Sequence, residues 1–279
     1  MSLTDSLTTA LRRIPIPSPL HDHRTAILAS AAVLGTSLIF PAAYRDYQLF
    51  KSYGQGGIPN NLAGWLIVRL LMQPLGREML STDEYERRVA ATAGQGPGSE
   101  GYLLVSETQL ASRSAAARPF VGPHVVPQRQ MTQLPEQAIM EKLRGSFLAF
   151  GRRNEHLVKL SQSLAERHSD ALFLADHLRP TEITQRTRGE ISHVHTGKDH
   201  SLHVILAPAD CKKVIDAGWG QRHAFSGTAA MSILSLGLLP GIPWEYLLIY
   251  APRTEAEIET VMQIVAASVK FATGREDVR

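Results

Sequence analysis

The chain has 279 residues, of which 44% are hydrophobic and 20% are charged, and it carries a formal net charge of +3 at pH 7. These values predict a folded protein with one large domain and an appendage, or with two small domains. The charge is too small to indicate a nucleic-acid-binding protein, and no zinc-finger or RNA-binding signature is present. The single cysteine, Cys211, excludes an internal disulfide and a cysteine-based zinc ribbon.

The N-terminal part contains a long uncharged segment. Residues 1–24 are predicted to be a disordered lead, and the sequence TAILASAAVLGTSLIFPAAY follows at residues 25–44. As a helix, this segment would span about 30 Å, the thickness of the hydrocarbon core of a membrane. It therefore predicts an N-terminal transmembrane helix, with a cleaved signal peptide or a buried core helix as alternatives.

The charges beside this segment bear on its orientation. Arg12, Arg13 and Arg24 precede it, and Arg45 and Lys51 follow it, which favours a cytosolic N-terminus. Against that orientation, the remainder of the chain has one cysteine and no N-x-S/T acceptor, which is typical of a cytosolic domain and which we give more weight. We therefore predict a single-pass protein of the endoplasmic reticulum membrane, with its catalytic domain facing the cytosol.

Residues 45–135 are predicted to be a membrane-proximal region of helices and loops. Within it, LAGWLIVRLLMQPL at 62–75 is apolar but carries Arg69. This segment is too short and too charged to span a membrane, so it predicts a core or interfacial helix. The sequence GQGPGSEG at 94–101 is typical of a flexible loop.

Residues 136–279 are predicted to be the catalytic α+β domain, and their elements are the most clearly marked in the chain. The predicted elements are helices at 136–150 and 153–168, strands at 190–195 and 201–206, a helix at 209–217 that ends at Gly218, a strand at 245–251, and a helix that begins at the capping box TEAE, residues 254–257. The C-terminal order β-β-α-β-α predicts an α+β fold with a mostly antiparallel sheet and packed helices.

Four of the 11 histidines lie in the fifteen residues EISHVHTGKDHSLHV, 190–204. His193 and His195 share one face of their strand because strand side chains alternate. If residues 196–200 form a five-residue loop, His203 lies opposite His193 on the same polar face. A two-residue turn would instead place an apolar side chain among the histidines, so the five-residue loop is predicted.

Three clustered imidazoles suit two kinds of chemistry. One is a metal centre, because three histidines and a water form a known zinc arrangement. The other is proton transfer without a metal, in which one imidazole is the base and the others polarise an oxyanion. A polar sheet face without any catalytic role is the remaining alternative.

Three motifs extend the histidine segment, and they are RGEISHVHTGKDHSLHVILAPAD, GWGQRHAFSG and LLIYAPR. Together they resemble the luciferase-domain family, whose best known members are the luciferases of luminous mushrooms. The similarity is strongest over residues 186–272. Shorter matches occur at RDYQLF (45–50), PQRQMTQL (127–134) and ERHSDALFL (166–174).

The resemblance implies a membrane-associated enzyme that uses O₂ and no flavin. The mushroom enzymes oxidise 3-hydroxyhispidin, a styryl-pyrone, through a peroxide intermediate with loss of CO₂ and emission of light. The matching positions imply catalytic roles for His193, His195, His203, His223 and Arg222, and substrate-binding roles for Trp219, Gln221, Tyr250 and Arg253. His200 is added to the substrate-binding set, although it departs from the luciferase pattern, as do the apolar residues near 231–239.

The predicted function is a membrane-anchored, luciferase-like oxygenase that acts on a pyrone or another small aromatic enol. A deprotonated enol reduces O₂ directly, so a histidine base and an arginine that holds the anion, Arg222 or Arg253, would suffice and no cofactor is expected. One alternative is a metal-dependent hydrolase or metal oxygenase with a divalent ion such as Zn or Fe on His193, His195 and His203. Another is a catalytically silent membrane-bound binding protein. The expected partners are the small substrate, O₂ and a membrane, and not nucleic acid.

Overall fold

The structure, a computed structural model, describes residues 23–92, 100–104, 110, 113 and 118–279. Most of the predicted disordered lead and most of the predicted loop at 94–101 lie outside the described residues. The chain divides into two units, Met1–Leu49 and Phe50–Arg279.

Helix α1, Arg24–Ser52, contains the whole segment 25–44 for which a transmembrane anchor is predicted, and Pro41 lies inside it. Among the helices of the described residues, none is long and apolar enough to cross a membrane. The predicted transmembrane helix therefore finds no support in the structure. Alanine, serine, threonine and glycine occupy much of the segment between its aliphatic residues, which lowers its hydropathy.

The described elements of the unit Phe50–Arg279 begin with helical segments and continue with strands and helices. In chain order they are α2 Leu62–Leu66, a π-helical turn Ile67–Met72, a 3-10 turn Gln73–Leu75, α3 Asp83–Thr92, α4 Gln137–Arg153, β1 Val158–Gln162, β2 Asp170–Leu174, α5 Glu182–Arg186, β3 Glu190–Val194, β4 Leu202–Ile205, α6 Pro208–Asp216, β5 Gly220–Arg222, α7 Ala230–Leu234, β6 Tyr246–Ile249 and α8 Glu255–Thr273.

The strands form one antiparallel sheet with the order β1-β2-β3-β4-β6-β5. This sheet and its packed helices confirm the predicted α+β fold. The C-terminal β-β-α-β-α elements are confirmed to within a few residues, and the structure adds the short strand β5 and the short helix α7 between α6 and β6. Gly218 ends α6 with a positive φ of 79°, as expected for a left-handed C-cap.

The predicted helix at 153–168 is wrong. The segment contains strand β1, which pairs with β2 at the edge of the sheet. The leucine spacing does not follow one helix face, because Leu157 is buried, whereas Leu164 is 48% exposed. Pairing with β2 supplies the backbone hydrogen bonds of this segment and makes it a strand. The spacing of its leucines, one every three to four residues, carries no information about that pairing.

The two faces of the central strands carry different side chains. Val194, Leu202 and Val204 are fully buried and belong to the hydrophobic core on the face that α8 covers. His193 and His203 lie on the opposite face, because their positions alternate with those core residues. The sheet therefore separates an apolar core from a layer of buried polar side chains.

The segment 118–133 packs on the polar side. Its backbone folds back on itself, with Gly122 N–H donating to Arg129 O at 2.8 Å. Gln130 ties it to the domain: its backbone N–H donates to the Asp199 carboxylate, and its side-chain oxygen accepts from Ala251 N–H at 2.8 Å. The unit Phe50–Arg279 contains the predicted catalytic domain and all but the first five residues of the membrane-proximal region predicted at 45–135.

Candidate active site

The β3–β4 hairpin has the register that the alternation of side chains predicts. His193 pairs with His203, and Val194 pairs with Leu202. His195 N–H donates to Ser201 O at 2.9 Å, which extends the pairing beyond the strands. The five residues between His195 and Ser201 form the loop, so the predicted five-residue loop is confirmed.

Four imidazole rings meet on this face of the sheet. The ring centroids of His193, His195 and His203 are 5.0–5.3 Å apart, and we call these three residues the histidine triad. His223, which follows β5, is 5.8 Å from His203 by the same measure. All four side chains are buried.

In each triad histidine the Nδ1 atom is engaged by a neighbour. His193 Nδ1 is 2.6 Å from Glu190 Oε1, and His203 Nδ1 is 3.1 Å from Leu247 O. His195 Nδ1 is 3.0 Å from Ser201 Oγ and 3.3 Å from a carboxylate oxygen of Asp199.

These partners fix the tautomers. A carbonyl or carboxylate oxygen only accepts, so each Nδ1 carries a proton, and the neutral form of each ring presents a lone pair at Nε2. The ligating nitrogens of the triad lie within 4.8 Å of one another. Among the described residues, Nε2 of His193 and Nε2 of His195 are buried without a hydrogen-bond partner.

His223 has the opposite tautomer. Its Nδ1 accepts a hydrogen bond from Phe225 N–H at 3.1 Å, so the proton lies on Nε2. Burial, together with the neighbouring His195, lowers the pKa of His223 to about 4. His223 is therefore a neutral hydrogen-bond donor beside the triad, rather than a member of it.

Burial disfavours the charged form of two imidazoles of the triad, those of His203 and His195. It lowers the pKa of His203 well below its ordinary value, and the neighbouring imidazoles of the triad lower it further. The pKa of His195 is lowered by burial and then by the guanidinium of Arg129. Neutral imidazoles are the form in which histidine binds a metal or accepts a proton.

Three carboxylates surround these rings. Burial alone would raise the pKa of Glu190, but hydrogen bonds from His193 and Ser163 and the field of His193 outweigh it and lower that pKa. The pKa values of Glu166 and Asp199 are likewise lowered, because His195 and Arg129 outweigh the effect of burial. All three are therefore ionised near neutral pH.

Glu166 lies on the Nε2 side of the triad. Its Oε1 is 3.9 Å from His195 Nε2. Arg129, whose side chain is 2% exposed, forms an ion pair with both oxygens of Glu166, one of them at 3.0 Å. The carboxylate is therefore held in one position beside the imidazole nitrogens.

A pocket of about 230 Å³ lies next to the triad, and we call it the Tyr246 pocket. The ring of Tyr246 stacks on His203 with a centroid distance of 4.6 Å and an interplanar angle of 14°. Burial and the carboxylates of Glu190 and Glu166 raise the pKa of Tyr246 well above its ordinary value, so the phenol stays protonated. The lining residues are Leu164, Ala165, Arg186, Thr187, Arg188, Glu190, Met231, Leu239, Pro240, Gly241, Ile242, Pro243 and Tyr246.

The structure brings together the four histidines of the predicted catalytic set but not its arginine. Arg222 pairs with Glu78 at 2.9 Å, and its guanidinium lies 5.1 Å from the centroid of the Trp244 ring. Arg253, the other predicted anion-binding residue, is paired with Glu257. Neither arginine lines the Tyr246 pocket.

The predicted substrate-binding residues have structural contacts. The indole of Trp219 is fully buried and donates to Leu110 O at 2.8 Å. The Tyr250 hydroxyl is 3.0 Å from Gln221 Oε1. His200 lies in the hairpin loop with a positive φ of 55°, and burial lowers its pKa. None of these four residues lines the Tyr246 pocket.

Sequence reasoning missed Glu166, Arg129 and Tyr246 as members of the site. Glu166 and Arg129 lie in ERHSDALFL and PQRQMTQL, the short matches to the luciferase pattern outside the histidine segment. Those two matches were the sequence signal that could have assigned Glu166 and Arg129 to the site. Tyr246 lies in a predicted strand, where its aromatic ring is indistinguishable by sequence from a core residue.

Comparison with known proteins agrees with the motifs. A family model described as the luciferase domain matches residues 188–268, which contain all four histidines of the site. Luciferases of Armillaria mellea and Armillaria ostoyae are each 32% identical over 258 residues, or 89% of this chain and 88% of theirs. A luciferase of Neonothopanus nambi is 32% identical over 260 residues, or 90% of this chain and 88% of its own. No solved structure matches the chain. The chain belongs to the luciferase family that these fungal proteins represent.

Proposed function

We propose that the protein is an O₂-dependent, flavin-free oxygenase of the luciferase type that oxidises a small planar enol or phenol, such as a pyrone resembling 3-hydroxyhispidin. One observation carries this proposal. Tyr246 stacks on His203, Glu190 bonds His193, and both side chains line the Tyr246 pocket. A substrate in the pocket would therefore contact side chains that touch the triad directly.

The pocket lining fits a flat, acidic molecule. Leu239 and Ile242 provide apolar wall, and the ring of Tyr246 offers a neighbouring aromatic edge. Arg186 and Arg188 line the same pocket, and a guanidinium attracts a deprotonated enol or phenol. Arg186 is oriented by a hydrogen bond from Nη2 to Gly241 O at 3.1 Å.

These pocket arginines replace Arg222 and Arg253 in the proposal. Each of the two earlier candidates already has a carboxylate partner, Glu78 or Glu257. A guanidinium that is neutralised in this way attracts a second anion less strongly. Arg186 and Arg188 are therefore the better candidates for holding the substrate anion.

The proposed reaction needs no external reductant. The enol O–H bond breaks and the proton passes to an acceptor at the site, which leaves an electron-rich enolate. The enolate carbon forms a bond to O₂ and supplies the electrons, giving a peroxide. Cleavage of the O–O bond with loss of CO₂ then consumes both oxygen atoms. The relatives' name, luciferase, supports a reaction of this type.

Membrane association remains part of the proposal, although a spanning helix finds no support. The helical turns within 62–75 expose several large apolar side chains, with Leu70 at 66% and Leu71 at 57% exposure. A helical segment with exposed leucines is typical of binding in the plane of a membrane interface. Location at the endoplasmic reticulum, with the catalytic domain facing the cytosol, stays a prediction.

The test is to mix the purified full-length protein with 3-hydroxyhispidin and to record O₂ consumption, CO₂ release and light. We expect O₂ consumption in proportion to substrate loss. The variant His203→Ala should lose this activity, and the matched control His177→Ala, which changes an exposed histidine outside the site, should keep it. Substrate binding without O₂ consumption would instead support the binding-protein alternative.

A further inference from the structure

We propose that His193, His195 and His203 bind one divalent transition-metal ion through their Nε2 atoms. The inference deepens the proposed function, and the part that the ion takes in turnover rests on that function. Metal binding itself does not depend on the substrate and can be measured without it.

The first argument is the convergence of the nitrogens. One ring nitrogen of each of the three histidines lies within 4.8 Å of the other two. Around a tetrahedral ion with bonds of about 2.0–2.1 Å, two nitrogens are separated by roughly 3.4 Å. The side chains therefore need only a small inward rotation to close on a single ion.

The second argument is the set of groups on the far side of each ring. His193 donates to Glu190, His203 donates to Leu247 O, and His195 is bonded to Ser201 and Asp199. Metal-binding histidines almost always donate their other N–H to a carboxylate or a carbonyl, which orients the ring and raises its basicity. Every ring of the triad has such a partner.

The third argument is the cost of the site when no cation is bound. Nε2 of His193 and Nε2 of His195 are buried acceptors that lack a hydrogen-bond partner among the described residues. A buried polar atom without a partner is unfavourable, because it has lost its hydrogen bonds to water. A cation between the nitrogens would satisfy both atoms at once.

The fourth argument is charge. The charged side chains that contact the triad or its partners are Glu190, Asp199, Glu166 and Arg129. Their formal charges sum to −2 around the three imidazoles. A divalent cation balances this charge, whereas a site built only for neutral histidines would not require it.

The donor set narrows the class of ion. Three imidazole nitrogens suit Zn²⁺, Fe²⁺, Cu²⁺ or Ni²⁺ better than Mg²⁺ or Ca²⁺, which prefer oxygen ligands. Three protein ligands also leave a coordination position open, as in catalytic rather than structural zinc sites. His223 does not complete the set, because its Nε2 carries the proton.

A divalent ion held by the three histidines would supply a Lewis acid beside the substrate enol, which would make the enol O–H more acidic. The O–H bond breaks, the oxygen keeps the electron pair, and the proton passes to the carboxylate of Glu166. Glu166 Oε1 is on the correct side for this transfer, because it lies 3.9 Å from His195 Nε2.

The closing experiment is a metal analysis of the full-length protein, purified without a polyhistidine tag or a chelating resin. We expect about one transition-metal ion per chain, as for a three-histidine zinc site. Each of the variants His193→Ala, His195→Ala and His203→Ala should lose the ion, and the control His177→Ala should retain it. The more conservative variant His203→Gln should also lose the ion. Circular dichroism should show that its fold is unchanged, so that the loss of metal is not caused by unfolding.

A second measurement follows binding directly. Metal-free wild-type protein should show a visible Co²⁺ absorption band and a rise in Tm when Co²⁺ or Zn²⁺ is added. The variant Glu190→Gln retains all three imidazoles but removes the carboxylate that orients His193, and should bind about 10–100-fold more weakly. A wild-type protein that carries no transition metal and gains no Tm from added Zn²⁺, Fe²⁺, Co²⁺, Cu²⁺ or Ni²⁺ would overturn the inference.

The two proposals fail separately. Metal-free protein that still consumes O₂ with the substrate would keep the oxygenase and reject the part of the ion in turnover, as the expectation of no cofactor requires. Protein that binds one ion through the triad but never consumes O₂ would keep the metal site and reject the proposed function.

Discussion

At the scale of single residues, the partner of one nitrogen decides what the other nitrogen of an imidazole can do. The triad histidines donate through Nδ1 and present lone pairs, whereas His223 accepts through Nδ1 and presents an N–H. Four residues of one type therefore have two chemical roles. The triad can hold a cation or accept protons, and His223 can donate to a substrate oxygen.

Glu166 should act as the proton acceptor in turnover. Changing Glu166→Gln keeps the size of the side chain and an oxygen that can accept from Arg129, but it removes the charge that takes a proton. We expect kcat to fall by about 10²-fold or more. Steady-state kinetics measure the loss, and metal analysis should find the ion still bound. The variant Glu155→Gln, at an exposed position, is the control. An unchanged kcat would remove Glu166 from the mechanism.

At the scale of elements, the apolar segment near 231–239, which departs from the luciferase pattern, and the residues that follow it contribute to the lining of the Tyr246 pocket. Met231 and the residues from Leu239 to Pro243 line it, whereas Leu238 is 86% exposed. One apolar connection between α7 and β6 thus supplies both pocket and solvent-facing positions. Selection among substrates is expected to depend on this connection more than on the sheet.

This connection offers a matched pair of substitutions. Ile242→Trp inserts a large ring into the pocket and should raise KM by about tenfold or more while leaving the metal bound. Leu238→Trp adds the same ring in the same segment but in solvent, and should leave KM unchanged. Kinetics with the active substrate measure both variants. Equal KM values would show that the substrate binds elsewhere.

Helix α8 depends on a buried ion pair at its start. Thr254 caps the helix by accepting from Glu257 N–H at 3.2 Å, as the capping box predicts. The Glu257 carboxylate reaches Arg253 N–H at 2.7 Å, and not Thr254 N–H as in a full capping box. It also pairs with the fully buried side chain of Arg113 at 2.7 Å.

We expect Glu257→Gln to lower the free energy of unfolding by about 3 kcal/mol, because it leaves the buried Arg113 charge unpaired. The control Glu255→Gln breaks an exposed pair with Lys142 and should cost less than about 1 kcal/mol. Urea unfolding of the three proteins measures the differences. Equal losses in both variants would contradict the role of burial.

The same pair predicts a dependence on pH. Burial alone would raise the pKa of Glu257, but bonds from Arg253 and the charge of Arg113 lower it below the ordinary value of 4.5. A lowered folded-state pKa stabilises the protein above the unfolded pKa, and this stabilisation is lost as the pH falls through the folded value. The difference between wild type and Glu257→Gln should therefore be full at neutral pH and shrink in acid.

At the scale of the whole molecule, every residue assigned to the site belongs to the unit Phe50–Arg279. This unit contains the complete sheet and the described hydrophobic core. Residues before it supply no described part of the site. Catalysis and attachment to a membrane are therefore expected to be separable.

A chain that lacks residues 1–45 should retain a cooperative thermal transition and, if the metal site is correct, its ion. Calorimetry and metal analysis test this. Sedimentation with phospholipid vesicles then tests attachment to a membrane. If the exposed leucines bind the membrane interface, the shortened chain should still sediment with the vesicles. The double variant Leu70→Ser, Leu71→Ser should then sediment less. Loss of sedimentation on truncation alone would assign attachment to residues 1–45.

The sequence by itself determined the features that depend on neighbours along the chain. Side-chain alternation and loop length placed His193 opposite His203, and Gly218 and Thr254 marked helix ends because caps are local. Motif spacing identified the family. The relevant hydrogen bonds and turn geometries involve residues within a few positions of one another, so a pattern can encode them.

Only the tertiary structure decided which distant side chains join the histidines. Arg129, Glu166 and Tyr246 reach the triad from three separate segments, and Trp219 and Arg253 turn out to have structural partners. Strand β1 likewise takes its conformation from its pairing with β2, against its leucine spacing. Such contacts form between residues far apart in sequence, where packing and burial override local periodicity.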